Sequence, residues 1–187
     1  GCLPKDLLDL PIDYQSLAQA GAIMGSGGMI IMDESTCMVD IAKYFLNFLR
    51  YESCGKCLSC REGTQRMWEI VKKISDGKGE DGDLELLEEL AYAVKDSSMC
   101  GLGQTAANPV LSTLKYFRDE YVAHFRDHRC PAGVCKALIS YDIDQVKCDG
   151  CHACVTACPN GAITGQIKYP HLLNAGLCIK CGACLEA

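Results

Sequence analysis

The chain has 187 residues, and its hydrophobic fraction of 49% and charged fraction of 22% are typical of a globular protein. Its net charge of −6 provides no basic surface for nucleic acid or an anionic membrane, so we expect neither partner. The uncharged, Gly-rich run from Ala20 to Met32 is shorter than the roughly 20 apolar residues that span a bilayer, and no secretion signal opens the chain.

Cysteine is unusually abundant, with 15 residues in the chain. In a small secreted protein this density would indicate a disulfide scaffold. Here the number is odd, no export signal is present, and most of the cysteines fall into Cys-x-x-Cys groups, whose sulfurs lie on one side of a tight turn. This grouping favours metal ligands over disulfides, and therefore predicts a reducing, cytoplasmic location.

Residues 1–35 are expected to be the end of a larger upstream unit, and the start at Gly1 without an initiator Met indicates a fragment or a processed chain. A short helix is predicted from Tyr14 to Ala22 and a strand from Met29 to Met32. The glycines from Gly25 to Gly28 have two interpretations, a phosphate-binding loop or a tight turn. We favour the turn, because a dinucleotide-binding loop follows a strand and these glycines precede one.

Residues 36–128 are predicted to form four antiparallel helices with short loops, which is the pattern of a helix bundle. The first two helices follow from apolar residues repeated at helical spacing. Asp83 is the predicted N-cap of a third helix, Leu84 to Lys95, and Pro109 opens a fourth that runs to about His124. The apolar positions in the first two helices are Met38, Ile41, Phe45, Phe48 and Leu49, followed by Met67, Ile70, Val71 and Ile74.

A small cysteine-rich unit, residues 148–187, follows a connector of residues 129–147. It is too short for a hydrophobic core of its own, so bound metal is expected to stabilise it. Its cysteine spacing is that of the bacterial ferredoxins, where three cysteines of a run bind one 4Fe–4S cluster and the fourth binds the other. The first run is Cys148, Cys151, Cys154 and Cys158 before Pro159, and a second run begins with Cys178, Cys181 and Cys184.

The crossover rule distributes these ligands between two clusters. One 4Fe–4S cluster is predicted on Cys158, Cys178, Cys181 and Cys184. The other would use Cys148, Cys151 and Cys154, with its fourth ligand just beyond Ala187. Either the chain is truncated at that point, or this cluster is degraded or absent.

A further cysteine group lies in the helical region, at Cys54, Cys57 and Cys60. Cys100 is the predicted fourth ligand, because it lies at a turn before a helix, whose free backbone N–H groups favour a thiolate. A zinc ion on the same ligands is the alternative. The Cys-x-x-Cys-x-x-Cys spacing favours a 4Fe–4S cluster, since zinc sites usually group their cysteines as two plus two.

This group also carries a resemblance to a known family. The segment Glu52-Ser53-Cys54-Gly55-x-Cys57-x-x-Cys60-Arg61-x-Gly63 resembles the signature of the NADH-binding flavoprotein subunit of respiratory complex I (the 51 kDa subunit). The family pattern has Pro before the third cysteine, where this chain has Ser59. The ferredoxin-like extension and the segment from Arg129 to Cys135 are more similar to the beta subunit of electron-bifurcating, NAD(P)-linked iron–iron hydrogenases.

The resemblance implies an iron–sulfur electron relay. FMN and NAD(P) would bind an upstream Rossmann-like domain that is followed by a ubiquitin-like domain, with residues 1–35 as the end of the latter. The cluster on Cys54, Cys57, Cys60 and Cys100 would take electrons from FMN, and the ferredoxin unit would be a mobile bridge toward ferredoxin or a hydrogenase subunit. The implied partners are the other subunits of such a complex, a 2Fe–2S small subunit and a catalytic subunit.

Four cysteines remain, and three of them suggest a zinc site. Cys130 and Cys135 flank a Pro-Ala-Gly-Val turn close to two histidines, and a structural zinc there would take Cys37 as a further thiolate. His124 is the preferred imidazole, because it lies on a helix, with His128 as the alternative. The other interpretation is a set of buried free thiols, as for Cys2.

The expected fold is therefore α+β, a four-helix bundle carrying a 4Fe–4S cluster followed by a two-cluster ferredoxin unit. An NAD-linked formate dehydrogenase or a ferredoxin:NAD(P) oxidoreductase is the alternative within the same class. A metal-stabilised binding module without electron flow is the alternative from another class, and it would be redox-silent. His152 and His171 have no predicted partner, and no catalytic acid or base is expected.

Overall fold

Two units make up the computed structural model, which describes residues 1–187: the first is Gly1–Leu138 and the second is Ile139–Ala187. Seven α-helices lie in the first unit, between short 3₁₀ turns at Lys5–Leu7 and Lys136–Leu138. The helices are α1 (Tyr14–Gln19), α2 (Met38–Glu52), α3 (Leu58–Ser75), α4 (Asp83–Ser97), α5 (Gly101–Ala106), α6 (Asn108–Tyr116) and α7 (Arg118–Phe125). The chain is mostly helical, with one small sheet in the second unit.

Helices α2 to α7 enclose the hydrophobic core of the first unit, and α3 contributes the stripe that the sequence predicts. Met67, Val71 and Ile74 are fully buried on one face of α3. The close approach of α4 requires Gly63, because a methyl group there would collide with the Val94 side chain. Burial of each large apolar side chain contributes about 1.5–3 kcal/mol to the stability of this core.

The prediction of one continuous fourth helix is wrong. Its chain is divided between α6 and α7 at Phe117, whose φ of −131° and ψ of 31° are not helical, and the short helix α5 precedes them. Pro109 lies in the first turn of α6, as expected. Six helices rather than four therefore lie within residues 36–128.

Two details of the predicted helices are also wrong. The buried face of α2 is Met38, Val39, Ala42 and Leu46, whereas Phe48 is 55% exposed. The sequence places apolar residues on more than one face of α2, so periodicity alone does not select the buried one. At the start of α4 the N-cap position is Gly82, at φ 95°, and Asp83 is the first helical residue.

The segment before α2 contains α1 but not the predicted strand. Met29 to Met32 form no regular structure, and Ile31 is 82% exposed. A strand requires a neighbour to accept its backbone hydrogen bonds, and no other strand lies in this unit. Residues near α1 do contact the helical core, where the Tyr116 hydroxyl donates to the carbonyl of Ala20 at 2.9 Å.

The second unit has little regular structure. It contains α8 (Ala153–Ala157), strands β1 (Ile163–Thr164) and β2 (Leu172–Leu173), and a 3₁₀ turn at Ala183–Leu185. The strands pair antiparallel, with Ile163 opposite Leu173. Only Gly150, Ala162, Ile163 and His171 are buried, which is too few for a hydrophobic core. In neither unit does a helix have the length and apolar character needed to cross a membrane.

Candidate metal centres

The first cysteine group surrounds the start of α3. Cys54 lies in the loop after α2, Cys57 is the N-cap of α3, and Cys60 is buried in its first turn. Gly55 turns this loop at φ 75°, and the Arg61 guanidinium donates to its carbonyl at 2.7 Å. The loop is therefore held in place by the helix that it precedes.

Cys100, the predicted fourth ligand, is the N-cap of α5. The backbone N–H groups of Gly103 and Leu102 hold the pKa of the Cys100 thiol below its usual range. Its segment adjoins Cys60, because a methyl group on Gly103 would lie 3.3 Å from the Cys60 Cβ. The structure thus brings the start of α3 and the start of α5 to one place.

Hydroxyl groups lie beside Cys60. The Ser53 Oγ is 3.4 Å from the Cys60 Sγ and also accepts the Gly55 N–H at 3.3 Å. A hydroxyl has one proton to donate and lone pairs that accept. The Ser53 oxygen accepts the Gly55 N–H through a lone pair, so its proton is available to the Cys60 sulfur. Ser98 lies against Gly103, and its Oγ is buried without a hydrogen-bond partner. Thiolates with nearby donors fit a 4Fe–4S cluster, whose sulfur atoms accept hydrogen bonds.

In the second unit, four predicted ligands line one cavity. Cys158, Cys178, Cys181 and Cys184 line it, together with apolar side chains that include Ile163 and Ile179. The Ala162 N–H donates to the Cys158 Sγ at 3.3 Å. Four thiols around an apolar cavity, with a backbone donor to one sulfur, fit a 4Fe–4S cluster.

Among the remaining ferredoxin cysteines, Cys148 lies near a buried histidine that the sequence does not single out. The His171 N–H donates to the Cys148 Sγ at 3.4 Å, and its Nδ1 is 3.8 Å from the same sulfur. His171 and His152, which have no predicted partner, contact each other with 2.9 Å between Nε2 and Nδ1. Gly150, at φ 76°, permits the close approach of the Lys168 backbone to this loop.

A third centre joins residues that are far apart in the sequence. The ligand atoms of Cys37, His124, Cys130 and Cys135 all lie within 4.8 Å of one another, and all four residues are buried. The His124 Nε2 is 3.3 Å from the sulfurs of both Cys37 and Cys135, which are 3.7 Å apart. His128 is exposed and does not belong to this group.

The histidine of this group is oriented by its own helix. The His124 Nδ1 is 2.6 Å from the Glu120 carbonyl oxygen, one turn earlier in α7. Donation by Nδ1–H to that carbonyl leaves Nε2 free to act as a ligand. The Glu120 carboxylate in turn accepts the N–H of Met38 at 2.9 Å, which fixes the residue after Cys37.

Hydrogen bonds within this group shift the pKa values of its thiols and of its imidazole. The hydrogen bond with Cys135, followed by that with His124, lowers the pKa of Cys37 to about 4, although burial opposes the change. Burial lowers the pKa of His124, but the hydrogen bonds to Cys37 and to the Glu120 carbonyl raise it to about 9. The hydrogen bond with Cys37 raises the pKa of Cys135. The lowered pKa of Cys37 favours its thiolate, which is the form that binds a metal ion, and a metal ion at the His124 Nε2 would displace any proton held there.

None of the 15 cysteines forms a disulfide, and 14 of them lie in the sets described above. The arrangement defines an iron–sulfur protein. Comparisons with known proteins agree: residues 40–124 match the NADH-ubiquinone oxidoreductase-F iron-sulfur binding region, and residues 141–164 match a 4Fe-4S binding domain.

Among curated proteins, the chain is 52% identical over 171 residues to the HndC subunit of the NADP-reducing hydrogenase of Solidesulfovibrio fructosivorans, a match that covers 91% of this chain and 35% of that protein. It is 43% identical over 129 residues to the F 2 subunit of the NADH-quinone oxidoreductase of Rhizobium meliloti, covering 69% of this chain and 31% of that protein. A solved NAD⁺-reducing nickel–iron hydrogenase in the H₂-reduced state is 36% identical, covering 51% of this chain and 17% of that one, with a TM-score of 0.49.

The chain carries the iron–sulfur binding region found in NADH-quinone oxidoreductase F subunits and is similar to a related hydrogenase subunit, as its cysteine signature predicts. It spans about a third of the length of the curated relatives that it matches.

The sequence does not reveal three neighbours of the cysteine sets: Ser98, Glu120 and His171. Ser98 lies two residues before Cys100, so proximity to a predicted ligand is the only signal for it. Glu120 acts through a carbonyl and a carboxylate, and no motif marks either one. His171 is 23 residues from Cys148, and only the fold brings them together.

Proposed function

We propose that this chain is the iron–sulfur electron relay of an NAD(P)-linked oxidoreductase complex. It takes electrons from an FMN site in an upstream part of the protein and passes them toward ferredoxin or a hydrogenase subunit. One observation carries the proposal: the four thiols of Cys158, Cys178, Cys181 and Cys184 surround a single cavity in a chain that matches two iron–sulfur binding regions.

The cysteines divide into three ligand sets. Cys54, Cys57, Cys60 and Cys100 hold one 4Fe–4S cluster, and the cavity of the second unit holds another. Cys148, Cys151 and Cys154 bind a third cluster together with a ligand outside this chain. When bound, each cluster supplies a centre that exchanges one electron, and its potential depends on the surrounding charges and donors.

The protein groups around the first set are suited to that task. The Arg61 side chain is held against the Gly55 carbonyl, and the Ser53 hydroxyl lies within 3.4 Å of the Cys60 sulfur. A cation near the cluster compensates the charge of four thiolates, and a hydroxyl proton stabilises negative charge on sulfur. These groups favour uptake of an electron without contributing a ligand.

A hydrogenase complex is favoured over a quinone-reducing complex by the extent of the similarity. The NADP-reducing hydrogenase subunit aligns with 91% of this chain, whereas the NADH-quinone oxidoreductase subunits align with 63% to 75%. The hydrogenase relative therefore extends over residues that the others leave unmatched. Electron bifurcation, a 2Fe–2S small subunit, a catalytic subunit and a cytoplasmic location belong to this proposal.

The domain organisation proposed here follows the cysteine sets. Residues 1–35 end an upstream ubiquitin-like domain, residues 36–128 form the helical cluster domain, residues 129–147 connect the two cluster regions, and residues 148–187 form the ferredoxin unit. The relatives are about three times as long as this chain, which leaves room for flavin and nucleotide domains outside it.

We also propose a structural zinc on Cys37, His124, Cys130 and Cys135. Tetrahedral zinc with bonds of about 2.3 Å to sulfur and about 2.0–2.1 Å to nitrogen separates its ligand atoms by about 3.5–3.8 Å. The separations of 3.3 Å and 3.7 Å in this group support a single ion rather than a cluster, which holds its thiolates further apart. The oriented His124 ring distinguishes this site from a set of buried free thiols.

Iron and acid-labile sulfide per chain test the relay proposal, measured on anaerobically purified wild type and two variants. Cys60→Ser is expected to lose about four irons, because it removes one ligand of a cluster. Cys2→Ser is the matched control, since Cys2 is a buried cysteine outside every ligand set. Little iron in the wild type, with zinc in its place, would support the metal-stabilised binding module instead.

A further inference from the structure

Ser98 holds the one buried side-chain oxygen or nitrogen atom in the chain that has no hydrogen-bond partner. The residue is 5% exposed, and its Oγ is buried away from bulk solvent. A buried hydroxyl without a partner is destabilising, and such groups are rare in native proteins. Other buried hydroxyls here are bonded: Thr64 donates to the Cys60 carbonyl, and Ser112 to the Asn108 carbonyl.

The position of this hydroxyl relates it to the first cysteine set. Ser98 is the C-cap of α4 and lies two residues before Cys100. Its side chain packs on Gly103, on the side where a methyl group would also meet the Cys60 Cβ at 3.3 Å. The Gln104 side-chain amide donates to the Ser98 carbonyl at 3.1 Å, which holds the turn in place. Ser98 therefore lies on the segment that carries Cys100 and packs close to Cys60.

The chemistry of the neighbours determines which bond the hydroxyl forms. Thiolate and sulfide sulfur atoms only accept hydrogen bonds, and a hydroxyl has one proton to donate. The Ser53 hydroxyl already lies 3.4 Å from the Cys60 sulfur. A cluster carries more negative charge when it is reduced, so a donor to its sulfur stabilises the reduced state more than the oxidised one.

We propose that the Ser98 hydroxyl donates a hydrogen bond to a sulfur atom of the 4Fe–4S cluster held by Cys54, Cys57, Cys60 and Cys100. This hydrogen bond raises the reduction potential of that cluster. The proposal rests on the relay function argued above. Ser98 contributes no ligand and takes no part in proton transfer. It makes this cluster a better acceptor for electrons from the flavin side.

The test is a potentiometric titration of the full-length protein, monitored by EPR, for the wild type and Ser98→Ala. The relevant signal is the one that Cys60→Ser abolishes. Ser98→Ala is expected to keep its iron but to reduce the equilibrium constant for one-electron reduction about threefold to tenfold, a tenfold change being about 59 mV. Ser97→Ala is the matched control, because the exposed Ser97 hydroxyl already donates to the Ala93 carbonyl, and its potential is expected to match the wild type.

An unchanged potential in Ser98→Ala would overturn this proposal while leaving the relay intact, whereas a wild type without a reducible cluster would overturn the relay itself. If Ser98→Ala fails to hold iron, Ser98→Thr decides, because it keeps the hydroxyl. Recovery of both iron and potential in Ser98→Thr would support the donor role. Failure to recover them would show that Ser98 acts through packing and would contradict the proposal.

Discussion

Two histidines on neighbouring turns of the chain have opposite environments. His124 is fully buried, with its Nε2 among three cysteine sulfurs, and His128 is exposed at φ 46° after the end of α7. The sequence leaves the choice between them open, because both follow a helical stretch near Cys130. The choice depends on which side of α7 faces the core, and that is a property of the packed helices.

His124→Ala is expected to reduce zinc from about one per chain to near zero and to lower the free energy of unfolding by about 3 kcal/mol or more, because a structural metal contributes its binding energy to folding. His128→Ala is the matched control and is expected to retain both zinc and stability. Zinc analysis and urea denaturation check the pair. Loss of zinc in His128→Ala, or its retention in His124→Ala, would contradict the ligand set.

The packing of α3 against α4 is the element-level feature that the sequence predicts only in part. Periodic apolar residues predict α3 and a candidate N-cap predicts α4, and the structure confirms the α3 stripe of Met67, Val71 and Ile74. Periodicity gives no sign that Gly63 is needed where Val94 crosses α3, because glycine carries no hydropathy signal. The apolar run from Met29 to Met32 also fails as a strand prediction, since strand formation depends on a pairing partner elsewhere.

Gly63→Ala is expected to destabilise the first unit by about 1–3 kcal/mol, the typical cost of overpacking a core. Val94→Ala alone is expected to destabilise it as well, by leaving a cavity on α4. The double variant is expected to be more stable than the sum of the single changes implies, because the new methyl group occupies the space that Val94 vacates. Additive changes in urea denaturation would show that the two residues do not share this contact.

The two units differ in what stabilises them. Buried apolar side chains from α2, α3, α4, α6 and α7 form a core in residues 1–138, whereas residues 139–187 bury four residues and have strands of only two residues. The sequence predicts this contrast from composition, because residues 148–187 hold seven cysteines and few large apolar residues. The second unit should therefore depend on its clusters for folding.

Removal of iron and sulfide by oxidation is expected to unfold residues 139–187 while α2, α3 and α4 stay folded. Hydrogen exchange measured by mass spectrometry checks this prediction peptide by peptide. Amides of the second unit are expected to exchange at unprotected rates after cluster removal, and amides of α3 to remain protected. Protection of residues 139–187 without iron would show that a conventional core holds this unit together.

The central claim is that these cysteines hold redox-active clusters that pass electrons along the chain. A reductive titration of anaerobically purified protein, followed by EPR and paired with iron and sulfide analysis, tests it most directly. We predict about eight to twelve irons per chain, with an equal amount of sulfide, and signals that appear on reduction and disappear on reoxidation. A redox-silent protein that contains zinc in place of iron would contradict the claim.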